Sequence, residues 1–255
     1  MGAPAYRRVA TRAGVAFLIL AAVAMAKDGH RPSPGRGATS ETDPFDTPLI
    51  HMPSPPPVTG PDDAGVSPGD CAARLERAGV EAAAASPPRT DAALPCGIVD
   101  PVTLVSVTVA GSPGQRILFA SKPLISCAMA ERMARFGSDI AAPLALGIFR
   151  QPLQAIETGP GYECRPRNRQ PGGKMSSHGQ GNALDVAAFL LADRRRITAG
   201  KPAGEDGQRF IWALRMAGCG AFSTVLGPGS DAYHADHLHF DIEARGRDGM
   251  SKFCQ

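Results

Sequence analysis

No stretch of this 255-residue chain is apolar for long enough to cross a bilayer more than once, which excludes a polytopic membrane protein and leaves one folded domain with extensions. Charge is nearly balanced, 27 Lys and Arg against 24 Asp and Glu, for a net of +3. The one basic run, Arg194-Arg195-Arg196, reads as a polar turn, so the footprint of a nucleic-acid-binding surface is missing. None of the six cysteines forms a C-x-x-C pair, which argues against a structural zinc ribbon. None stands beside a histidine, which argues against a catalytic thiol. Histidine is scarce as well, six in all, and that scarcity makes its distribution informative.

At the N-terminus Arg7, Arg8 and Arg12 precede an apolar stretch from Ala13 to Ala26, and Ala24-Met25-Ala26 supplies the small-x-small pattern of a signal-peptidase site. Residues 1–26 therefore read as a secretory signal peptide, with an uncleaved membrane anchor that tethers the chain as the alternative. Residues 27–68 are rich in Pro, Gly, Ser, Thr and Asp. Such a composition cannot bury enough apolar surface to offset chain entropy, and a disordered or polyproline-like linker is expected. Cys71, Cys96, Cys127, Cys164, Cys219 and Cys254 all lie beyond it and fit disulfides in an oxidising compartment. Sequential closure predicts Cys71 with Cys96, Cys127 with Cys164 and Cys219 with Cys254.

The folded domain is expected over residues 69–255. A short helix from Cys71, capped by Asp70, closes at Gly79, and Ala82 to Ala85 is ambiguous between helix and loop. The β-branched run Val102 to Val109 predicts a strand that turns at Gly111-Ser112-Pro113-Gly114 and returns through Ile117 to Ala120. The spacing of Leu124, Cys127, Met129, Met133 and Phe136 predicts a helix with Pro123 in its first turn and Gly137 at its end, followed by a shorter helix over Asp139 to Leu146. Strands follow at Leu153 to Thr158, Ala183 to Leu191 and Arg196 to Thr198. An amphipathic helix then runs from Asp206 or Gly207 to Gly218, with Trp212 packed against its surroundings. Strands at Phe222 to Leu226 and His237 to Ile242 complete the core. The expected fold class is α+β, a small mainly antiparallel sheet with helices packed on one side.

Four of the six histidines lie between 178 and 239, and three of them fall within six residues. His178, Asp185 and one of His237 and His239 supply the two imidazoles and one carboxylate of a hydrolytic divalent-metal site, the other histidine serving as base. In a strand, residues two apart share a face, so His237 and His239 would point into one cleft. Gly181 and Ala183 keep the space between ligands free of bulk. Upstream, Arg165, Arg167 and Arg169 crowd one loop, where guanidinium groups would orient a carboxylate-bearing substrate; a solvated basic loop is the alternative.

The pattern Ser176-x-His178-x-x-Gly181-x-Ala183-x-Asp185 followed by His237-x-His239 resembles the signature of the LAS metallopeptidases, named for lysostaphin, D-Ala-D-Ala carboxypeptidases and the hedgehog signalling domain. A wider set, Cys71-x-x-x-Leu75-x-x-Ala78-Gly79-Val80, Cys96-Gly97-Ile98, Tyr162-x-Cys164-Arg165-x-Arg167-Asn168 and Asn182-Ala183-Leu184-Asp185, resembles the extensin-like C-terminal family of secreted bacterial proteins. The resemblance implies His178, Asp185 and His239 as ligands of Zn2+, His237 as base with Asp236 as a second candidate, and Ser176 and the three arginines as substrate contacts. It further implies a periplasmic enzyme that hydrolyses peptidoglycan stem or cross-link peptides, a zinc-activated water attacking the scissile carbonyl. A non-catalytic zinc-containing wall-binding or signalling module is the alternative.

Overall fold

The computed structural model describes residues 70–86, 88–89 and 95–255, so the expected signal peptide and linker lie outside the described residues. Ten strands form one sheet: β1 (Val80–Ala84), β2 (Pro101–Val109), β3 (Ser112–Phe119), β4 (Leu124–Ser126), β5 (Leu153–Thr158), β6 (Ala183–Leu191), β7 (Arg196–Thr198), β8 (Thr224–Leu226), β9 (Leu238–Asp241) and β10 (Phe253–Cys254). Their order is β1-β2-β3-β5-β6-β9-β8-β10, with β4 added to β2 and β7 to β6. Pairing is antiparallel except between β3 and β5 and between β8 and β10. The chain is thus mixed α and β with a mostly antiparallel open sheet and a few helices, and the sheet is extensive where a small one was expected.

Among the described residues four α-helices accompany it: α1 (Cys71–Arg77), α2 (Cys127–Arg135), α3 (Ala142–Phe149) and α4 (Gly204–Ala221). The parallel step from β3 to β5 needs a crossover, and the helical stretch from Cys127 to Phe149 provides it. That stretch begins at Ser126, whose Oγ accepts a hydrogen bond from the Met129 amide, and not at Pro123. Leu124 and Ile125 instead complete the ladder with Thr103 and Val102. Nor does Gly137 end the helix: a π-helical turn over Phe136–Ala141 carries the chain directly into α3, because Phe136, Ala141, Ala142 and Ala145 continue the buried face. Arg150, at φ 56°, makes the actual stop.

Three more expectations differ from the structure. The alanines of β1 pair with β2, a ladder overriding their helical propensity. Asp70 makes no side-chain cap; its carbonyl accepts from the Arg74 amide. Trp212 is 63% exposed, not packed.

The core lies on one face of the sheet. Leu238 and Phe240 of β9 and Leu184 and Val186 of β6 point into it, and each fully buried side chain of this size contributes roughly 1.5–3 kcal/mol. Phe240 meets Phe136 at a centroid distance of 5.0 Å, and Phe210 of α4 meets both Phe189 and Phe149 at 5.2 Å. Gly218 allows α4 to press onto β9, since a Cβ there would lie 2.9 Å from Phe240 Cε1. The alternate positions, Asp185, His239 and Asp241, turn to the other face.

Three disulfides are present, Cys71 with Cys127, Cys96 with Cys164, and Cys219 with Cys254. The last was expected; the other two replace the sequential pairing. α1 packs against α2, setting the Cα atoms of Cys71 and Cys127 6.0 Å apart, while Cys96 runs beside the arginine loop, 5.7 Å from Cys164.

Candidate metal centre

Asp185 of β6 and His239 of β9 are directly opposed in the antiparallel register, which places a carboxylate and an imidazole side by side on the face away from the helices. His178 arrives from a 3-10 turn, Ser177–Gln180, capped by Ser176, whose Oγ accepts from the His178 amide. Gly181, at φ 65°, reverses the chain out of that turn and into β6. Its lack of a side chain is required by neighbouring protein: a Cβ would lie 2.8 Å from the Ser126 backbone nitrogen and 2.9 Å from Ile98 Cγ2.

The three residues bring one donor atom each within 4.8 Å of one another. His178 Nε2 lies 3.3 Å from His239 Nδ1 and 3.3 Å from Asp185 Oδ1, and His239 Nδ1 lies 2.8 Å from the same oxygen. Donors tetrahedrally arranged around zinc at its usual bond lengths stand about 3.3 Å apart, so the cluster fits that ion in both donor chemistry and spacing. The outer nitrogens are also held. His178 Nδ1 donates to the Gly161 carbonyl at 2.8 Å, and His239 Nε2 faces Asp241 Oδ2 at 3.6 Å. Both arrangements turn a lone pair toward the cluster.

Charge is strongly coupled here. Burial pushes the Asp185 carboxyl up, but the hydrogen bonds and charges of His178 and His239 hold it well below the usual range. Burial disfavours the His239 cation, yet the hydrogen bond to Asp185 and the nearby Asp241 carboxylate raise its pKa to about 9 in the metal-free protein. A bound cation would take the place of that proton.

His237 stands just before β9 and turns Nε2 toward the cluster, 3.6 Å from Asp185 Oδ1. Its Nδ1 bonds Asp236 Oδ1 at 2.8 Å. Asp236 itself is 89% exposed at its side chain, which places it as the partner of His237 and not inside the cluster. His234 is the residue the sequence reading left without a role. Its Nδ1 bonds Asp231 at 2.7 Å, and its ring lies 5.3 Å from that of His237 and 5.5 Å from that of His239. Burial keeps the His234 imidazole below its ordinary pKa despite the Asp231 bond. The spacing His234-x-x-His237-x-His239, with Asp231 three residues earlier, was the available signal.

A cleft of about 440 Å³ surrounds these groups and is lined by Arg165, Arg167 and Arg169. The arginines are anchored by two glutamates that sequence reasoning passed over. Arg165 and Arg169 share Glu163 at 2.7 Å each, while Arg167, Lys174 and Ser177 converge on Glu243. Bonds from Arg165 and Arg169 overcome the effect of burial and hold Glu163 in its charged form. The Cys96–Cys164 bridge ties this loop to the Ser177–Gln180 turn, because Gly97 donates to the Gly179 carbonyl at 2.9 Å.

No curated protein and no protein of solved structure matches the chain. The sequence model of the family described as Extensin-like protein C-terminus matches residues 69–255, the segment that builds the sheet, the helices and the cleft, and the chain belongs to that family.

Proposed function

We propose that the chain is an exported zinc peptidase of the LAS type that hydrolyses stem or cross-link peptides of bacterial peptidoglycan. The observation that carries this reading is the convergence of His178, Asp185 and His239 with a fourth group, His237, aimed at the same point. Bound there, zinc would supply a Lewis acid and lower the pKa of water. His237 does the proton work at Nε2: with Nδ1 held by Asp236, it accepts a proton from the attacking water and later delivers it to the leaving amine. His234 offers a second ring nitrogen in the same cleft, its other nitrogen being engaged by Asp231.

Substrate orientation falls to the arginine loop. Two guanidinium groups share one carboxylate at Glu163, and Arg167 and Lys174 share another at Glu243, so this wall keeps an excess of positive charge suited to a peptide carboxylate. The three disulfides support an oxidising compartment such as the periplasm. A non-catalytic zinc module is less well served. A purely structural site is usually closed by four ligands, and among the described residues this cluster holds three.

The test is digestion of purified peptidoglycan and soluble muropeptides, with products identified by mass spectrometry. Zinc-loaded protein should cleave, chelation should abolish cleavage and added zinc restore it. His237→Ala should keep its zinc yet lose about a hundredfold or more in rate. Fully loaded wild-type protein that cleaves no muropeptide would end the reading.

A further inference from the structure

The C-terminal segment is built into the cleft. β10 pairs with β8 so that Phe253 opposes Thr224 and Cys254 opposes Val225. Val225 belongs to the core face, and Cys254 on that side is bridged to Cys219 of α4. By strand alternation Phe253 must face the opposite way, onto the face that carries the metal cluster, and it lines the same cleft. Asp241, Thr224 and Phe253 form one row across β9, β8 and β10, adjacent to the row that contains Asp185, His239 and Leu226.

Phe253 is poorly explained as core. It is 43% exposed, and the Arg245 guanidinium lies over its ring at 5.7 Å. Arg245 is fixed in turn by a 2.7 Å bond to Thr224 Oγ1 and by Asp241. Three aromatic side chains among the described residues are largely exposed, Trp212, Tyr233 and Phe253, and the last two both line this cleft. Aromatic surface left open beside a polar centre, held by a disulfide on one side and an ion-paired arginine on the other, is a preorganised contact for ligand.

We propose that β10 is a substrate-recognition wall, in which Phe253, Leu226 and the aliphatic stem of Arg245 receive an apolar side chain of the bound peptide. β10 stands two strand spacings from β9, about 10 Å, and an extended peptide advances about 3.3 Å per residue. The residue read is therefore about the third from the bond that is cut. This assignment rests on the peptidase reading and adds its specificity: the arginine loop takes a carboxylate, and the C-terminal wall takes an apolar group.

The experiment uses the full zinc-loaded protein and muropeptide-derived peptides shortened one residue at a time from each end. Cleavage is followed by mass spectrometry, and binding to His237→Ala protein by calorimetry. Phe253→Ala, with unchanged zinc content and melting temperature, should lower kcat/KM about tenfold on the longer peptides and leave the shortest unaffected, and Phe253→Leu should recover most of the loss. Cleavage equally fast in Phe253→Ala on every peptide would overturn the wall while the peptidase reading stands. Binding without cleavage that weakens in Phe253→Ala would support the wall and remove the peptidase reading. Absence of both binding and cleavage in wild-type protein would overturn the two together.

Discussion

Replacing Asp241 with Asn should weaken zinc binding about tenfold, or about 1.4 kcal/mol, without unfolding the protein. Asp241 is buried at 2% exposure, with Oδ2 3.6 Å from His239 Nε2 and 3.5 Å from Arg245, while Oδ1 accepts from the Glu243 amide at 3.1 Å. Burial pushes its carboxyl up, and the imidazole of His239 facing it holds it below the usual range. Asn keeps an acceptor for the Glu243 amide but removes the charge that orients the imidazole. Carboxylates behind a metal-bound histidine typically change affinity 10- to about 100-fold, and the long 3.6 Å separation selects the low end. Ala at the same position also strands the Glu243 amide and removes one of the partners of Arg245, adding about 1–3 kcal/mol of lost stability. Competition against a chromophoric chelator measures the affinity, and melting with and without zinc measures the fold. The reasoning fails if Asp241→Asn binds zinc as tightly as wild type.

Metal-free protein should show a pH-dependent stability that zinc removes. A histidine raised from 6.5 to about 9 stabilises fully below its unfolded pKa, and that contribution, up to a few kcal/mol, disappears as pH rises from 6.5 through about 9. Melting temperatures of stripped protein should fall across that window and those of loaded protein should not; a flat profile for stripped protein would contradict it. On the acid side Asp185, Asp241, Glu163 and Glu243 are all held low, so their stabilisation persists above the ordinary carboxylate range and fades as pH drops below it. Gly181→Ala should cost at least about 2 kcal/mol and release the metal, because a left-handed residue would gain a Cβ against the Ser126 backbone; denaturant melts together with zinc stoichiometry test this.

Much of the sheet was legible because its strands carry their own pattern. β2, β5 and β6 announce themselves by β-branched and apolar runs bounded by turns, and their limits fall close to those expected. The elements that were missed depend on partners far away in the chain. β1 is a strand because β2 is beside it, and β4 is a strand because Thr103 and Val102 need partners. The helical stretch that starts with α2 continues through Gly137 in a π-helical turn because the next turns remain apolar toward the sheet.

The same division holds at the cleft. Sequence alone determined the chemical inventory: four of six scarce histidines gathered between 178 and 239, an aspartate at a fixed spacing, cysteines suited to disulfides and membership of the extensin-like family. Those are properties of residue type and local order, and they survive without knowledge of the fold. Tertiary structure decided the pairings. It set Asp185 opposite His239, joined Cys71 to Cys127 and Cys96 to Cys164, supplied Glu243 to Arg167, and brought Phe253 from the C-terminus to the cleft. Sheet register and the alternation of side chains across a strand fix Asp185 against His239 and turn Phe253 to the cleft, helix and loop packing fixes the two disulfides, and no local spacing encodes which distant segment will lie alongside.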